Sequence, residues 1–451
     1  MKHKVFIFLL LVALLFSGLG GQAANAEGES PHTVPQVEKY FPFGVSMNWG
    51  NIEGLASRQG LEKWEWVEAA FDDMQDHHIN TLHLYNLDFQ ELDQFVSLAQ
   101  PRGIRLYPQA GGLPYYFPRW ISSKEEREHI FETEVKPAYA ELIDHYRDSD
   151  GILAWGICEE APALFVPELE EWTDYIDGLD SNHPAVVMYN QVASVEAASD
   201  IIQPRIIPID LYPFFADPQS GPTTPSASLS YYENKIHDSY QAAKACGAPL
   251  WVVAQGMSLY NGSQETWTWR RPTPNEMRLE AWAAVVNGAK GIMYWQYSST
   301  PAGNPAGATV YGLVDRDGNP TEIWDAVGNI WFEIEPLTKI IVDIDESSSP
   351  VVGSSGEGIR ARTFQRETGT DSYVIVVNTD AVNSKTTGVT LTTSANIYDL
   401  TALEQVTPDQ LFNHVLLPGG GNIYLVGSES DFDYYLDNYA PAVLNSSGIG
   451  I

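Results

Sequence analysis

Between Phe41 and Ile334, short apolar segments alternate with amphipathic stretches, and no other feature of the chain constrains its fold as strongly. The apolar segments read as strands at Gly44–Asn48, Thr81–Tyr85, Arg105–Pro108, Ile152–Ile157, Ala185–Tyr189, Ile206–Asp210, Leu250–Ala254 and Gly291–Trp295. Helical patterns lie between them, including Glu62–His78, Lys124–Asp144 and Pro274–Asn287. The last opens with Thr273-Pro274 as cap and first-turn pair and stops at Gly288. Strand–helix repeats build parallel sheets, because a parallel connection must cross back over the sheet. Eight such units close on themselves. An open doubly wound sheet needs a glycine-rich phosphate turn after its first strand, and Gly44-Val45-Ser46-Met47-Asn48-Trp49-Gly50 is not one. The expectation is an α/β chain with a TIM (β/α)8 barrel over residues 38–338.

After Trp331 the pattern becomes short and β-rich, with Asx, Gly and Pro turns between segments such as Ile359–Arg366, Ser372–Asn378 and Asn422–Val426. This predicts a small antiparallel β-sandwich over residues 339–428. Residues 429–451 form an acidic, aromatic tail to which no regular structure is assigned. At the other end, Lys2 and Lys4 precede the apolar run Val5–Phe16, and Ala24-Asn25-Ala26 follows. That order reads as a signal peptide over residues 1–26, too short in its apolar part to span a bilayer. An exported protein is expected, extracellular or periplasmic, with no membrane association after cleavage.

The chain carries 25 Lys+Arg against 59 Asp+Glu, a formal charge of −34. Such a surface repels nucleic acid and anionic membranes. Two cysteines, Cys158 and Cys246, rule out a disulfide scaffold and make no thiolate metal pair, so both read as free thiols. His77, His78 and His83 cluster in sequence without a ligand spacing. Neither a metal nor a cofactor is expected.

In a barrel of this kind chemistry sits at the C-terminal strand ends. Strand four ends in two carboxylates, Trp155-Gly156-Ile157-Cys158-Glu159-Glu160-Ala161-Pro162. Strand six ends Asp210-Leu211-Tyr212-Pro213 and strand eight ends Tyr294-Trp295-Gln296-Tyr297. Other strand ends offer Asn48 and Trp49, Tyr85 and Asn86, Gln109, and Tyr189 and Asn190. Aromatic faces with amide and hydroxyl forks suit a hydroxyl-rich ligand. The bland alternatives are a capping glutamate, a loop aspartate and packed rings.

The strand-four segment resembles the W-x-x-x-N-E-P or W-x-x-x-D-E-P signature of the large clan of barrel glycoside hydrolases. The resemblance aligns Trp155 with the Trp and Glu160 with the general acid/base, and Glu159 replaces the Asn or Asp. It implies a glycosidase acting on a poly- or oligosaccharide, with Asp210 as the choice for the second carboxylate and Glu159 and Glu265 behind it. With the strand-end reading it gives expected substrate contacts from Trp49, Tyr85, Glu159, Tyr189, Tyr212, Gln255, Trp267 and Trp295. The resemblance implies that Trp295 floors the sugar subsite; in the loop after strand seven, Trp267 with Trp269 form one face of a platform or pin the loop. At strand seven the chain departs from the clan: Gln255 stands where retaining members carry the nucleophilic Glu, and an amide cannot attack an anomeric carbon. Inversion, a nucleophile from elsewhere, or a barrel that binds glycan without cleaving it all remain open.

Overall fold

Strands apolar on both faces need cover on both faces, and a closed barrel wrapped in helices supplies it. The computed structural model describes residues 37–110, 123–300 and 307–440. The expected signal peptide and residues 441–451 lie outside them. Barrel strands are β1 (Phe43–Asn48), β2 (Thr81–Leu87), β3 (Arg105–Ala110), β4 (Trp155–Cys158), β5 (Ala185–Val187), β6 (Ile207–Asp210) and β7 (Leu250–Gln255). Two short strands, β8 (Ser258–Asn261) and β9 (Thr266–Trp269), precede the eighth barrel strand, β10 (Gly291–Trp295). The parallel order is β5-β4-β3-β2-β1-β10-β7-β6. The two ends meet through Tyr189, whose N–H bonds Pro208 O at 3.0 Å and whose carbonyl accepts from Asp210 N at 2.8 Å. The (β/α)8 expectation holds.

The helices are α1 (Trp49–Gln59), α2 (Lys63–Asp76), α3 (Leu92–Ala99), α4 (Lys124–Ile130), α5 (Lys136–Tyr146), α6 (Val166–Leu179), α7 (Val192–Ile201), α8 (Pro225–Cys246), α9 (Pro274–Val286) and α10 (Glu322–Ile334). The expected helix Lys124–Asp144 is interrupted by a π turn at Phe131–Val135. Pro137 follows at once; it has no N–H and crowds the preceding turn, which a wider turn relieves. The cap expected at Thr273 is present, and Glu276 completes a capping box, its Oε2 accepting from Thr273 N at 2.8 Å.

Strand alternation separates two cores. Tyr107, Val186, Met188, Trp251, Val253 and Met293 pack together inside the barrel. Residues of the other parity, such as Val45, Leu84, Ile209 and Val252, pack against the helices. Gly156 of β4 leaves interior room that Tyr107 and Gln109 fill; a Cβ there would meet both at 2.8 Å.

Beyond β11 (Ala308–Tyr311), which pairs with β8 in a small three-stranded sheet, the chain forms the expected β-sandwich. Its strands are β12 (Ile344–Glu346), β13 (Val352–Ser354), β14 (Ile359–Arg366), β15 (Ser372–Asn378), β16 (Lys385–Thr386), β17 (Thr390–Leu391), β18 (Asn396–Asp399), β19 (Glu404–Val406), β20 (Val415–Leu416) and β21 (Gly421–Gly427). An antiparallel sheet of order β12-β14-β15-β21-β18-β19 shares a core with the pairs β13–β17 and β16–β20, built on Val374, Val376, Val389, Leu416 and Tyr424. Its other face meets α9, where Trp282 fits under Gly421. The tail is not without structure: Ser428 and Asp431 make a capping box for a helix over Glu429–Asn438. Tyr435 of that helix is buried and Phe432 stacks on Tyr398 at 4.3 Å, which holds the helix down.

Candidate active site

The interior parity of β1 to β4 brings polar side chains to the upper end of the barrel. Ser46, His83 and Gln109 are all fully buried there. His83 Nδ1 lies 3.2 Å from Ser46 Oγ, and Nε2 lies 3.3 Å from Gln109 Oε1 and 3.5 Å from Glu159 Oε1. The imidazole stacks on Tyr107 at 4.4 Å. Burial pulls its pKa down to about 4, so the ring is neutral at physiological pH.

Past Cys158 the chain turns sharply, with Glu160 in the left-handed region at φ +50. A residue with a Cβ holds that conformation at a cost of about 1–2 kcal/mol, so surrounding contacts must fix it. Asp210 ends β6 and is buried. It hydrogen-bonds the Glu160 carboxyl, and its pKa is driven well above the usual carboxylate range, first by burial and then by the charges of Glu160 and Glu159.

Aromatic residues roof this acid cluster. Tyr212 stacks on Trp295 at 5.7 Å and 23°. Trp295 Nε1 donates to Tyr85 Oη at 3.2 Å, and Tyr85 in turn donates to Gln296 Oε1 at 2.6 Å. The Trp295–Gln296 peptide is cis. Burial, followed by Asp210, Glu160 and Glu159, raises the Tyr212 pKa, which places that ring beside all three acids.

Six of the expected site residues therefore converge: Glu160, Asp210, Glu159, Tyr85, Tyr212 and Trp295. Asp210 lies close enough to Glu160 for the two carboxyls to interact.

The other four expected contacts are corrected. Tyr189 is buried in the strand–helix core, because its parity matches Val187 and faces outward while Met188 faces in. Trp49 opens α1 and packs against Trp64 and Phe95, with Lys63 Nζ 3.9 Å over its ring, so its faces are occupied. Gln255 is fully buried. Its Nε2 donates to Met257 O at 3.1 Å and Arg270 O at 2.7 Å, and its Oε1 accepts from Phe214 N at 2.9 Å. The amide ties the loops after β6 and β7 together and lines no subsite. Trp267 is separated from Trp269 by a bulge: Trp269 pairs with Leu259 but Trp267 pairs with Tyr260, so three residues of β9 span two of β8. Trp269 meets Tyr212 and Phe215, whereas Trp267, 41% exposed, meets Tyr260 and Tyr311. They share no platform. Glu265 lies exposed at the tip of the same hairpin.

His83 and Gln296 are the site neighbours the sequence reading did not place. Period-two alternation through Thr81, His83 and Tyr85 was the available signal. His77, by contrast, stacks on Trp324 at 4.2 Å and belongs to the helix layer, so the three histidines do not converge.

Comparison with known proteins agrees with this architecture. The glycoside hydrolase family 42 (β-galactosidase) model matches residues 187–337, which take in Asp210, Gln255 and Trp295 but begin after Glu160. No curated protein matches the sequence. A family 5 glycoside hydrolase from Bacteroides vulgatus superposes with a TM-score of 0.55 at 14% identity, covering 90% of this chain and 93% of that one. Another structure, described as a glycoside hydrolase, gives 0.53 at 13% identity, covering 81% and 89%. A family 2 β-galacturonidase from Eisenbergiella tayi gives 0.45 at 16% identity; the match covers 64% of this chain and 50% of that enzyme. With its closed barrel and its β-sandwich, the chain has a (β/α)8 fold similar to that of solved glycoside hydrolases, and over residues 187–337 it is similar to glycoside hydrolase family 42.

Proposed function

We propose that the protein is an exported glycosidase that cleaves O-glycosidic bonds of a poly- or oligosaccharide with Glu160 as its general acid. The observation that carries this reading is the convergence of the Glu160 and Asp210 carboxyls with the stacked Tyr212–Trp295 rings at the strand ends. A glycosidic oxygen leaves poorly unless it is protonated, and a carboxyl placed at the cleft can supply the proton. The aromatic roof suits the apolar face of a sugar ring. The strongly negative surface favours a substrate without dense negative charge.

A second reading, glycan binding without cleavage, is favoured by Gln255, whose amide serves the backbone where a strand-seven carboxylate would otherwise stand. Incubating the protein with a broad polysaccharide panel and measuring reducing ends separates the two. The hydrolase reading expects release by the wild type and its loss in Glu160→Gln. Binding with no release by the wild type selects the second reading, and full turnover by Glu160→Gln removes Glu160 as the acid.

A further inference from the structure

The three-stranded sheet of β8, β9 and β11 is rooted on the roof of the acid cluster. Gly256, just before β8, donates its N–H to Trp295 O at 2.8 Å, and Leu313, just after β11, donates to Gln296 O at 3.0 Å. Gly312 passes so close to the same segment that a Cβ there would meet Gln296 O at 2.6 Å. Register decides which rings of this sheet share a face. Trp267 pairs with Tyr260, and Tyr311 pairs with Ser258, which stands on the same side of β8 as Tyr260. Since β8 is the central strand, the Trp267 ring reaches Tyr311 across it, over the small Ser258. Its centroid lies 5.2 Å from that of Tyr260 and 5.5 Å from that of Tyr311. Tyr311 is covered in turn by the Arg316 guanidinium at 5.3 Å, and Arg316 Nε is held by Thr300 O at 2.6 Å. Both tyrosines are half-buried, whereas Trp267 stays 41% exposed between them.

We infer that this aromatic face is a second sugar-binding surface: it holds a neutral glycan chain beyond the unit at the acid cluster, and so favours polymers over short oligosaccharides. The inference rests on the hydrolase reading for what occupies the cleft. A sugar ring packs its apolar face on an aromatic ring and needs hydrogen-bond partners around its edge. Trp267 offers the ring. Asn261, which faces Thr266 beside it, and Ser263 and Gln264 at the hairpin tip offer amide and hydroxyl groups. The size of the face argues against a protein partner. Such side chains span roughly 150–250 Å² each and are largely covered here, so the three rings leave less than about 300 Å² free, against the roughly 800 Å² per partner of a stable protein interface. The formal charge of −34 disfavours an anionic chain. Trp267 is already held between two rings, so a ligand orders little when it binds. Strands rise about 3.3 Å per residue, which puts Tyr260 roughly 7 Å beyond Ser258, away from the root at Trp295–Gln296. A chain long enough to lie on both places gains the second contact as an intramolecular event, and a short one does not.

Affinity electrophoresis in native gels containing galactan, galactomannan, mixed-linkage glucan or arabinoxylan tests the surface without turnover when Glu160→Gln serves as the parent protein. At least one of these polymers should retard the parent, and adding Trp267→Ala should weaken that binding about tenfold, within what burying roughly 100 Å² of ring can supply. Trp267→Tyr keeps an aromatic face and should retain most of the retardation. On any polymer the wild type cleaves, Trp267→Ala should raise KM about tenfold at unchanged kcat, and on the shortest oligosaccharide it cleaves neither constant should move. Absence of retardation by all of these polymers, or equal retardation of the parent and the Trp267→Ala protein, overturns the inference. Equal losses in Trp267→Ala and Trp267→Tyr overturn it too, because stacking would not be what was lost. Sedimentation covers the remaining occupant: a wild-type dimer that Trp267→Ala turns into a monomer makes the face a contact between copies and overturns it. The two readings fail separately. Polymer cleavage indifferent to Trp267 removes the surface and leaves the hydrolase, whereas Trp267-dependent retardation without any release of reducing ends by the wild type removes the hydrolase and leaves the surface.

Discussion

Replacing Gln255 with glutamate restores, on paper, the strand-seven carboxylate of retaining glycosidases. The surroundings of the amide predict the opposite of a gain. The introduced carboxylate keeps the bond from Phe214 N–H but faces the carbonyls of Met257 and Arg270 with no hydrogen to offer either. The site is fully buried, so water cannot replace the lost donors. Ionised, the new side chain would be an uncompensated buried charge, costing several kcal/mol. It therefore folds protonated, donates to one carbonyl and strands the other, at about 1–3 kcal/mol. Holding that proton at pH 7 against an ordinary glutamate pKa of about 4.3 adds roughly 3.7 kcal/mol, at about 1.36 kcal/mol per unit. The total, roughly 5–7 kcal/mol, approaches the whole stability of many domains. The sign follows from the raised folded pKa: the deficit is smallest near pH 4.3 and widens as pH rises. Urea unfolding of both proteins between about pH 4.5 and 7.5 measures it, with Gln255→Met as a control whose deficit does not vary with pH. A Gln255→Glu protein as stable as wild type at neutral pH, or one that gains reducing-end release, would refute the reasoning and place residue 255 in the cleft.

Three other predictions follow from packing and charge. Glu280 is buried, accepts from Gln255 N at 2.7 Å, and has its pKa raised well above normal by burial and then by Glu276. Its folded form holds a proton the unfolded form loses, so stability falls as pH rises above the ordinary glutamate range; Glu280→Gln should be more thermostable than wild type near pH 8 and nearly equal near pH 4.5, and a constant difference would contradict this. Asp180 accepts from Trp155 Nε1 at 2.9 Å, from His183 Nδ1 at 2.8 Å and from the backbone of Asn182 and His183, so Asp180→Ala should cost about 3–5 kcal/mol in urea unfolding, and a loss below about 1 kcal/mol would show the network to be idle. Trp267→Ala removes a partly exposed ring that packs on Tyr260 and Tyr311, so stability should fall by about 0.5–2 kcal/mol in urea unfolding; retention of turnover on short substrates is also expected, because Trp267 lies outside the acid cluster.

The acid end of strand four was legible because a buried run ending in two carboxylates is unusual whatever surrounds it. Tyr212 and Trp295 were legible as aromatic strand ends. Tyr189 looked equally good, yet a single step of strand parity turned it into the helix layer and left Met188 inside. The three-stranded sheet of β8, β9 and β11 was not legible, because its strands are short and β11 is distant in sequence. Its bulge, which parts Trp267 from Trp269, depends on a register that exists only between strands.

By itself the sequence determined the periodic architecture, since hydrophobic alternation and turn chemistry are local and act wherever the chain folds. It also determined that residue 255 carries no charge. Tertiary structure decided what each polar group meets. Glu160 and Asp210 are far apart in the chain and come together because the closed barrel brings the ends of β4 and β6 to the same rim. His83 became the neighbour of Glu159, and Gln255 became a tie between loops, for the same reason: partners in a barrel interior are set by closure and register, which no local stretch of sequence contains.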